Sequence, residues 1–351
     1  MAFFHSITFV HAQEVTSLTH LGVLAILAFA LSMALTPVYM RLAYKYKLWK
    51  QPRDTAITGE VATIYHKLHA AKHKRNIPTM GGMVPIVTVA IVTVALNLSR
   101  NQTWLPVVVL LAAGLVGLID DYLNIRSDGL GIAGMRGKIK FSLIFGIAVL
   151  GALYFYFKLN YHLIHIPAVG DFSIGWLYIP LFIAVVVSTA NAVNITDGLD
   201  GLSGGLLSTA FAVYAVIAYF QGNYGIAGFC ATIVGAILTF MWFNIYPARF
   251  FLGDSGAFAF GTTLGVIAML TNTVVVFPII AGVFVIEAGS SVLQIFSKRV
   301  FKRKIFLSAP LHHHLEAIGW PEPRVTMRLW VIGQVLGVTG LILALVGNKL
   351  G

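Results

Sequence analysis

The chain has 351 residues, of which 58% are hydrophobic and only 11% charged, and its formal net charge is +11. Soluble globular domains carry about 25% charged residues, so this composition excludes a water-soluble enzyme, a disordered chain and, with Cys230 the only cysteine, a disulfide scaffold. A chain this apolar and this basic is either a membrane protein with asymmetric loops or a binder of anions.

Crossing a hydrocarbon core takes about 20 apolar residues. Ten such stretches follow one another, at about 18–40, 80–98, 104–123, 139–157, 176–193, 202–220, 224–243, 256–270, 273–296 and 327–346. Helices are expected, because lipid offers backbone groups no partners. The eighth stretch is short, and the ninth contains Pro278, Glu287 and a Gly289-Ser290-Ser291 run. Histidines and Glu14 precede the first stretch in place of a basic segment, so it reads as a retained helix and not a signal peptide. Glu287 is costly inside a span and is either functional or set at a helix break beside Gly289.

With the N-terminus outside, 21 of the 24 Lys and Arg fall in inward loops; only Arg100, Lys158 and Lys349 lie outward. The positive-inside rule then places both ends outside. The basic excess is thus first an orientation signal and not a sign of nucleic-acid binding. The expected fold is an all-α polytopic membrane protein of about ten transmembrane helices. It is read as a single membrane domain over 1–351, with long inward loops at about 41–79 and 297–326.

Five aspartates cluster at inward helix ends. Asp120 and Asp121 close the third stretch in Gly117-Leu-Ile-Asp-Asp-Tyr122, Asp197 and Asp200 lie in the Asn191–Gly201 connection, and Asp254 lies in Phe250-Phe-Leu-Gly-Asp-Ser-Gly256. His312, His313 and His314 are in the last inward loop. Each has an ordinary reading alone: a solvated helix end, turn chemistry or an N-cap. Parity puts all of them on one face, where carboxylates suit Mg²⁺ and substrate phosphates. Two of the turns lead into helices whose N-terminal N–H groups favour phosphate oxygens. Lys72, Lys74, Arg75, Lys138 and Lys140 flank this region; most of that charge has a topological or lipid-binding reading, and a few lysines are expected to serve the site. Metal-assisted chemistry on a phosphate ester or pyrophosphate is the implied activity.

These motifs resemble the polyprenyl-phosphate N-acetylhexosamine-1-phosphate transferase superfamily. Within it, Pro78-Thr-Met-Gly-Gly82, Ala309-Pro-Leu-His-His-His-Leu-Glu316 and Gly319-Trp-Pro-Glu-Pro-Arg324 resemble the phospho-N-acetylmuramoyl-pentapeptide transferase family. The resemblance runs from about residue 40 to 335. It implies ten helices with both termini periplasmic and an active site on the cytoplasmic face of the bacterial inner membrane. It further implies Mg²⁺-dependent transfer of phospho-MurNAc-pentapeptide from its UDP carrier to undecaprenyl phosphate, giving lipid I and UMP for peptidoglycan synthesis. Family members often dimerise, so a homodimer is among the implied states. By position, Asp254 matches the Mg²⁺ ligand, and Asp120 and Asp121 the surroundings of the acceptor phosphate. Phe251 matches a uracil-stacking aromatic, and Asn244 and Asp200 the nucleoside surroundings. Asn191, Asn194, Asp197, Thr79 and Lys74 match the polar lining near sugar and phosphates. His312, followed by His313 and His314, would order the site or contact the diphosphate, and Lys138 is a candidate for the substrate's anionic groups.

Two departures stand out. Asn124 occupies a position where the family often has lysine, so a countercharge is expected from Lys138 or Arg136, and Arg75-Asn76-Ile77 replaces a common Gly-Thr pair before Pro78. Rival readings are a sister transferase using UDP-N-acetylglucosamine and, in another class, a secondary transporter. The acids lie at helix ends and no two halves match, which speaks against the transporter.

Overall fold

In the computed structural model of the chain, the described residues are 2–49, 76–126 and 134–350, with side chains described from Ser17 on and up to Gly347. A helix occupies each of the ten expected stretches. These are α1 (Ala2–Lys45), α2 (Met83–Leu96), α3 (Trp104–Arg126), α4 (Gly137–Leu153), α5 (Tyr178–Thr196), α6 (Leu202–Phe220), α7 (Tyr224–Asn244), α8 (Gly253–Leu270), a broken pair α9 (Phe277–Ile280) and α10 (Gly282–Val300), and α12 (Glu322–Leu350); α11 (Leu311–Ala317) is a short helix between the last two.

Eight of these, counted among the described residues, are long and apolar enough to cross a membrane: α1, α3 to α8 and α12. Helix α2 has 14 residues, about 21 Å at 1.5 Å per residue, less than the ~30 Å core. The ninth stretch departs from a single span. It breaks at Ala281, while Gly289, the residue suspected of the break, lies inside continuous helix. Within the segments read as long inward loops, α1 runs on to Lys45, α10 reaches Val300, and α11 and the start of α12 lie within 297–326.

A small antiparallel hairpin, β1 (Leu163–Ile166) and β2 (Gly170–Ser173), is the one departure from all-α architecture among the described residues. Ala168 and Gly170, both at positive φ, turn the chain between the strands. Four-residue strands inside a connection give too short an alternation to read from sequence. The hairpin sits by the C-terminal end of α8, where Asn272 Oδ1 accepts a hydrogen bond from His165 N at 3.1 Å.

Helix α8 is the hub. Its most apolar window is 94% buried inside the protein, packed mainly between α3 and α5, while α7 packs on α1 and α6 and α12 packs on α6. Gly256, Ala257, Ala259, Gly261 and Gly265 keep α8 slim enough for such close neighbours. On α3, a Cβ at Gly117 would collide with the main-chain carbonyl of Asp254, so only glycine lets these two helices meet there. Large apolar side chains such as Leu150, Phe220, Trp242 and Val335 are mostly exposed on the outer faces. Water would penalise so much exposed apolar surface; lipid does not. The chain is an α-helical multi-pass membrane protein.

Candidate active site

The contact at Gly117 sets the register of the site. One turn further along α3, Asp120 and Asp121 come level with the first turn of α8, which carries Asp254. A helix N-terminus favours an anion, but a C-terminal end does not, so the two α3 aspartates need partners. They have them. Lys140 Nζ, from α4, lies 2.6 Å from Asp120 Oδ2 and 2.7 Å from Asp254 Oδ2. Asp120 Oδ1 accepts from Met135 N at 2.7 Å, and its Oδ2 from Asn124 Nδ2 at 3.2 Å. Asp121 Oδ2 accepts from Ser255 N at 3.1 Å, so a first-turn N–H of α8 serves an acid on α3. Both aspartates are at most 1% exposed.

The third wall is the segment 78–82. Phe251 N donates to Pro78 O at 2.8 Å, Gly81 N to Phe251 O at 2.9 Å and Gly82 N to Leu252 O at 2.8 Å. This pairing brings Thr79 Oγ1 to 3.4 Å from Asp121 Oδ1, and the Tyr39 hydroxyl donates to Thr79 O. Gly253 turns the chain into α8 at φ +76°, and a Cβ there would lie 2.5 Å from Asp121 Oδ2 and 2.8 Å from Thr79 Oγ1. A side chain at this position is therefore excluded twice, by conformation and by space. From α5, Asn194 Nδ2 donates to Asp254 Oδ1 at 3.2 Å.

Of the residues singled out from the sequence, Asp120, Asp121, Asp254, Asn194 and Thr79 are thus brought together. The countercharge expected in place of a lysine at 124 comes from Lys140. Lys138 and Arg136 are exposed at the start of α4; two residues along a helix is a rotation of about 200°, which turns Lys138 away when Lys140 faces the acids. Asn124 itself bonds Asp120. Asn191 Nδ2 bonds back to Val187 O at 2.8 Å on its own helix, and Asp197 is half-buried at the C-terminal end of α5. Phe251 is half-buried, whereas its neighbour Phe250 is buried against Tyr39, Phe240 and Phe243. Lys74 lies outside the described residues.

Asp200 and Asn244 serve as pins. Asp200 Oδ2 accepts from Ala248 N at 2.9 Å, and its own N–H donates to Glu322 Oε1 at 2.7 Å. Asn244 accepts from Gly201 N at 2.9 Å and donates to Phe250 O at 2.8 Å. Both residues are nearly inaccessible. Asn244→Ala is expected to strand two buried backbone groups, at a cost of about 2–4 kcal/mol, and to lower the melting temperature in detergent. An unchanged melting temperature would remove Asn244 from this role.

The histidines diverge. His312 is fully buried, with Nδ1 2.9 Å from Glu287 Oε2. His313 Nδ1 lies 2.8 Å from Glu316 Oε2, and His314 Nδ1 accepts from Leu307 N at 3.2 Å beside the ring of Phe306. Sequence reasoning missed the roles of Lys140, Tyr39 and Glu322. Only Lys140 left a local signal, its place among basic residues at the start of a span.

A divalent cation fits the donor set. Asp120 and Asp254 already share one cationic group, and Mg²⁺ needs only one or two carboxylates when phosphates and water complete its shell. Among the described residues, no three His, Cys, Asp or Glu side chains gather into a protein-only cage, which a cation held largely by its substrate does not require.

Residues 103–272 match the family described as glycosyl transferase family 4. The phospho-N-acetylmuramoyl-pentapeptide-transferase of Chloroflexus aurantiacus is 36% identical over 337 residues, covering 92% of this chain and 89% of the relative. The proteins of that name from Thermodesulfovibrio yellowstonii and a Geobacillus species are 36% and 33% identical, covering 94% and 90% of this chain and 93% and 95% of theirs. The chain belongs to the phospho-N-acetylmuramoyl-pentapeptide-transferase family. It is therefore a phosphoglycosyl transferase. The glycosyl transferase match runs from the start of α3 to the end of α8 and so takes in Asp120, Lys140, Asn194 and Asp254. Thr79 and the histidine helix lie outside it and inside the nearly full-length similarity to these relatives.

Proposed function

We propose that this chain transfers phospho-MurNAc-pentapeptide from UDP-MurNAc-pentapeptide to undecaprenyl phosphate, releasing UMP and forming lipid I on the cytoplasmic face of the bacterial inner membrane. Family membership supports the reaction. The observation that supports it is the meeting of Asp120 and Asp254 on Lys140, with Asp121 held beside them by Ser255 N and Thr79, at the end of a buried helix where a soluble anion and a lipid headgroup can meet. In this reading both termini face the periplasm, residues 1–351 form one membrane domain, and two copies assemble as a homodimer.

An oxygen of the lipid phosphate attacks the phosphorus attached to the sugar. The bond from that phosphorus to the UMP oxygen breaks, and UMP leaves with the electron pair. Asp254 would hold Mg²⁺, which supplies neutralisation of the diphosphate and of the charge developing on UMP. Asp120 and Asp121 flank the acceptor phosphate, and a proton on that phosphate passes to one of them. Lys140 offsets the repulsion between these carboxylates and two anionic substrates. Asn194 orients Asp254, and Thr79 orients Asp121. Phe251 stacks on the uracil, with Asp200 and Asn244 fixing the loops around the nucleoside. Asn191, Asp197 and Lys74 line the approach of sugar and phosphates, Lys138 draws in the anionic donor from the exposed start of α4, and His312 acts on the diphosphate while His313 and His314 order the helix that carries it. The acceptor is already an anionic nucleophile, so direct attack needs no covalent enzyme intermediate.

The test supplies purified protein with undecaprenyl phosphate, Mg²⁺ and either UDP-MurNAc-pentapeptide or UDP-N-acetylglucosamine, and measures UMP. Release from the muramoyl nucleotide alone is expected. Release from the N-acetylglucosamine nucleotide alone would move the chain to the sister branch, and release from neither would overturn the proposal.

A further inference from the structure

Glu287 is an acid 0% exposed, on a helix packed among apolar ones. Buried carboxylates are costly unless partnered, and the partner here is the first turn of α11. Oε2 of Glu287 lies 2.9 Å from His312 Nδ1 and accepts from the His312 backbone N–H at 3.3 Å. One turn along α10, Ser290 Oγ donates to the Glu287 carbonyl at 2.7 Å and accepts from Leu311 N at 2.9 Å. The N–H groups of Leu311 and His312 belong to the start of a helix and have no partner within it; α10 supplies both. Position and ring plane of His312 are therefore dictated from α10, across 25 residues of sequence.

The consequence lies at the other ring nitrogen. A carboxylate at Nδ1 requires the proton there, since an unprotonated Nδ1 would face a second acceptor. Nε2 is then the nitrogen left for other work. It is buried, has no hydrogen-bond partner among the described residues, and is packed on Gly198 so closely that a Cβ there would strike it. Gly198 follows Asp197 in the turn between α5 and α6, four residues after Asn194, which bonds Asp254. This buried nitrogen is delivered to the turn that leads to the carboxylates.

The geometry assigns Glu287 as a positioning residue: it fixes His312 with Nδ1–H toward α10 and Nε2 toward the Asp197–Gly198 turn, as the nitrogen that acts on the donor's diphosphate. This rests on the transferase reading for what Nε2 meets, but not for the orientation itself. Glu287 touches no substrate; it acts through the ring.

Two measurements on the full-length protein test it. In ¹⁵N-histidine NMR, with the His312 signals identified by their loss in His312→Asn, the wild type is expected to carry its proton on Nδ1. Glu287→Leu is expected to lose that preference, while the isosteric Glu287→Gln, which keeps an acceptor, retains it. In the UMP-release assay, Glu287→Leu should lower kcat about a hundredfold with both KM values within about threefold, and Glu287→Gln should fall in between. Glu287→Leu should add no further loss to His312→Asn, because residues acting through one another are not additive. Losses that multiply, or a wild-type His312 protonated on Nε2 alone, would overturn the assignment. Should Glu287→Leu fail to fold, the Gln variant decides: wild-type kcat together with an altered tautomer would equally overturn it. If the wild type released no UMP, the transferase reading would fail while the tautomer measurement still judged the orientation.

Discussion

Asp254→Asn is expected to lower UMP release by about a thousandfold, with the protein folded and its melting temperature close to that of the wild type. Asparagine keeps the shape of the side chain and an acceptor for Asn194 Nδ2, now 3.2 Å from Asp254 Oδ1. It removes the charge that meets Lys140 at 2.7 Å and the one carboxylate here that is both partly open, at 15% side-chain exposure, and in the first turn of a helix. Charge stabilisation concentrated on a phosphoryl transition state is worth about 10²–10³ in rate for a single donor, and more where a metal ion depends on it. Stability should change little, because Lys140 retains Asp120 at 2.6 Å. Turnover within a few-fold of wild type would sink the place given to Asp254.

Lys140→Met is expected to damage both stability and activity. It leaves Asp120, 1% exposed, facing Asp254 with no cation between them. Breaking a buried ion pair from one side costs about 3–5 kcal/mol, because the remaining charge is stranded; with Asp254 partly open, the lower end applies. The apparent melting temperature in detergent should fall clearly, and UMP release should drop at least a hundredfold. The second variant separates the two effects. Adding Asp120→Asn to Lys140→Met removes the stranded charge, so the melting temperature should recover while activity stays lost. A Lys140→Met protein that melts like the wild type would show that the bridge contributes nothing to holding the site.

The contrast between Lys140 and Lys138 shows where sequence reading stops. The need for a cation beside Asp120 was legible once Asn124 stood in place of a lysine. Which lysine supplies it depends on the start of α4 at Gly137, and an error of one residue there rotates the choice by about 100°. The membrane class and the ten helical stretches were legible because they depend on composition and length, which need no knowledge of packing. The meeting of Asp120, Asp121 and Asp254 was legible only as a shared face; Gly117 against the Asp254 backbone turns it into contact.

Other features depend on pairings far apart in the chain. Asn244 reaches Gly201 across 43 residues, and Asp200 reaches Glu322 across 122. Position alone placed both residues near a nucleoside, and their hydrogen bonds show how they hold loops. Glu287 stood between function and a helix break. The break at Ala281 leaves Glu287 well within α10, and a histidine 25 residues on meets its carboxyl oxygen at 2.9 Å.

In the proposed reaction a phosphate already attached to a sugar is moved onto a lipid phosphate at this carboxylate cluster. The direct measurement incubates the protein with undecaprenyl phosphate, UDP-MurNAc-pentapeptide and Mg²⁺, then quantifies UMP and identifies the lipid product by mass spectrometry. One undecaprenyl-diphospho-MurNAc-pentapeptide is expected for each UMP, and no UMP when the lipid phosphate is left out. UMP formed without a matching lipid product would contradict it.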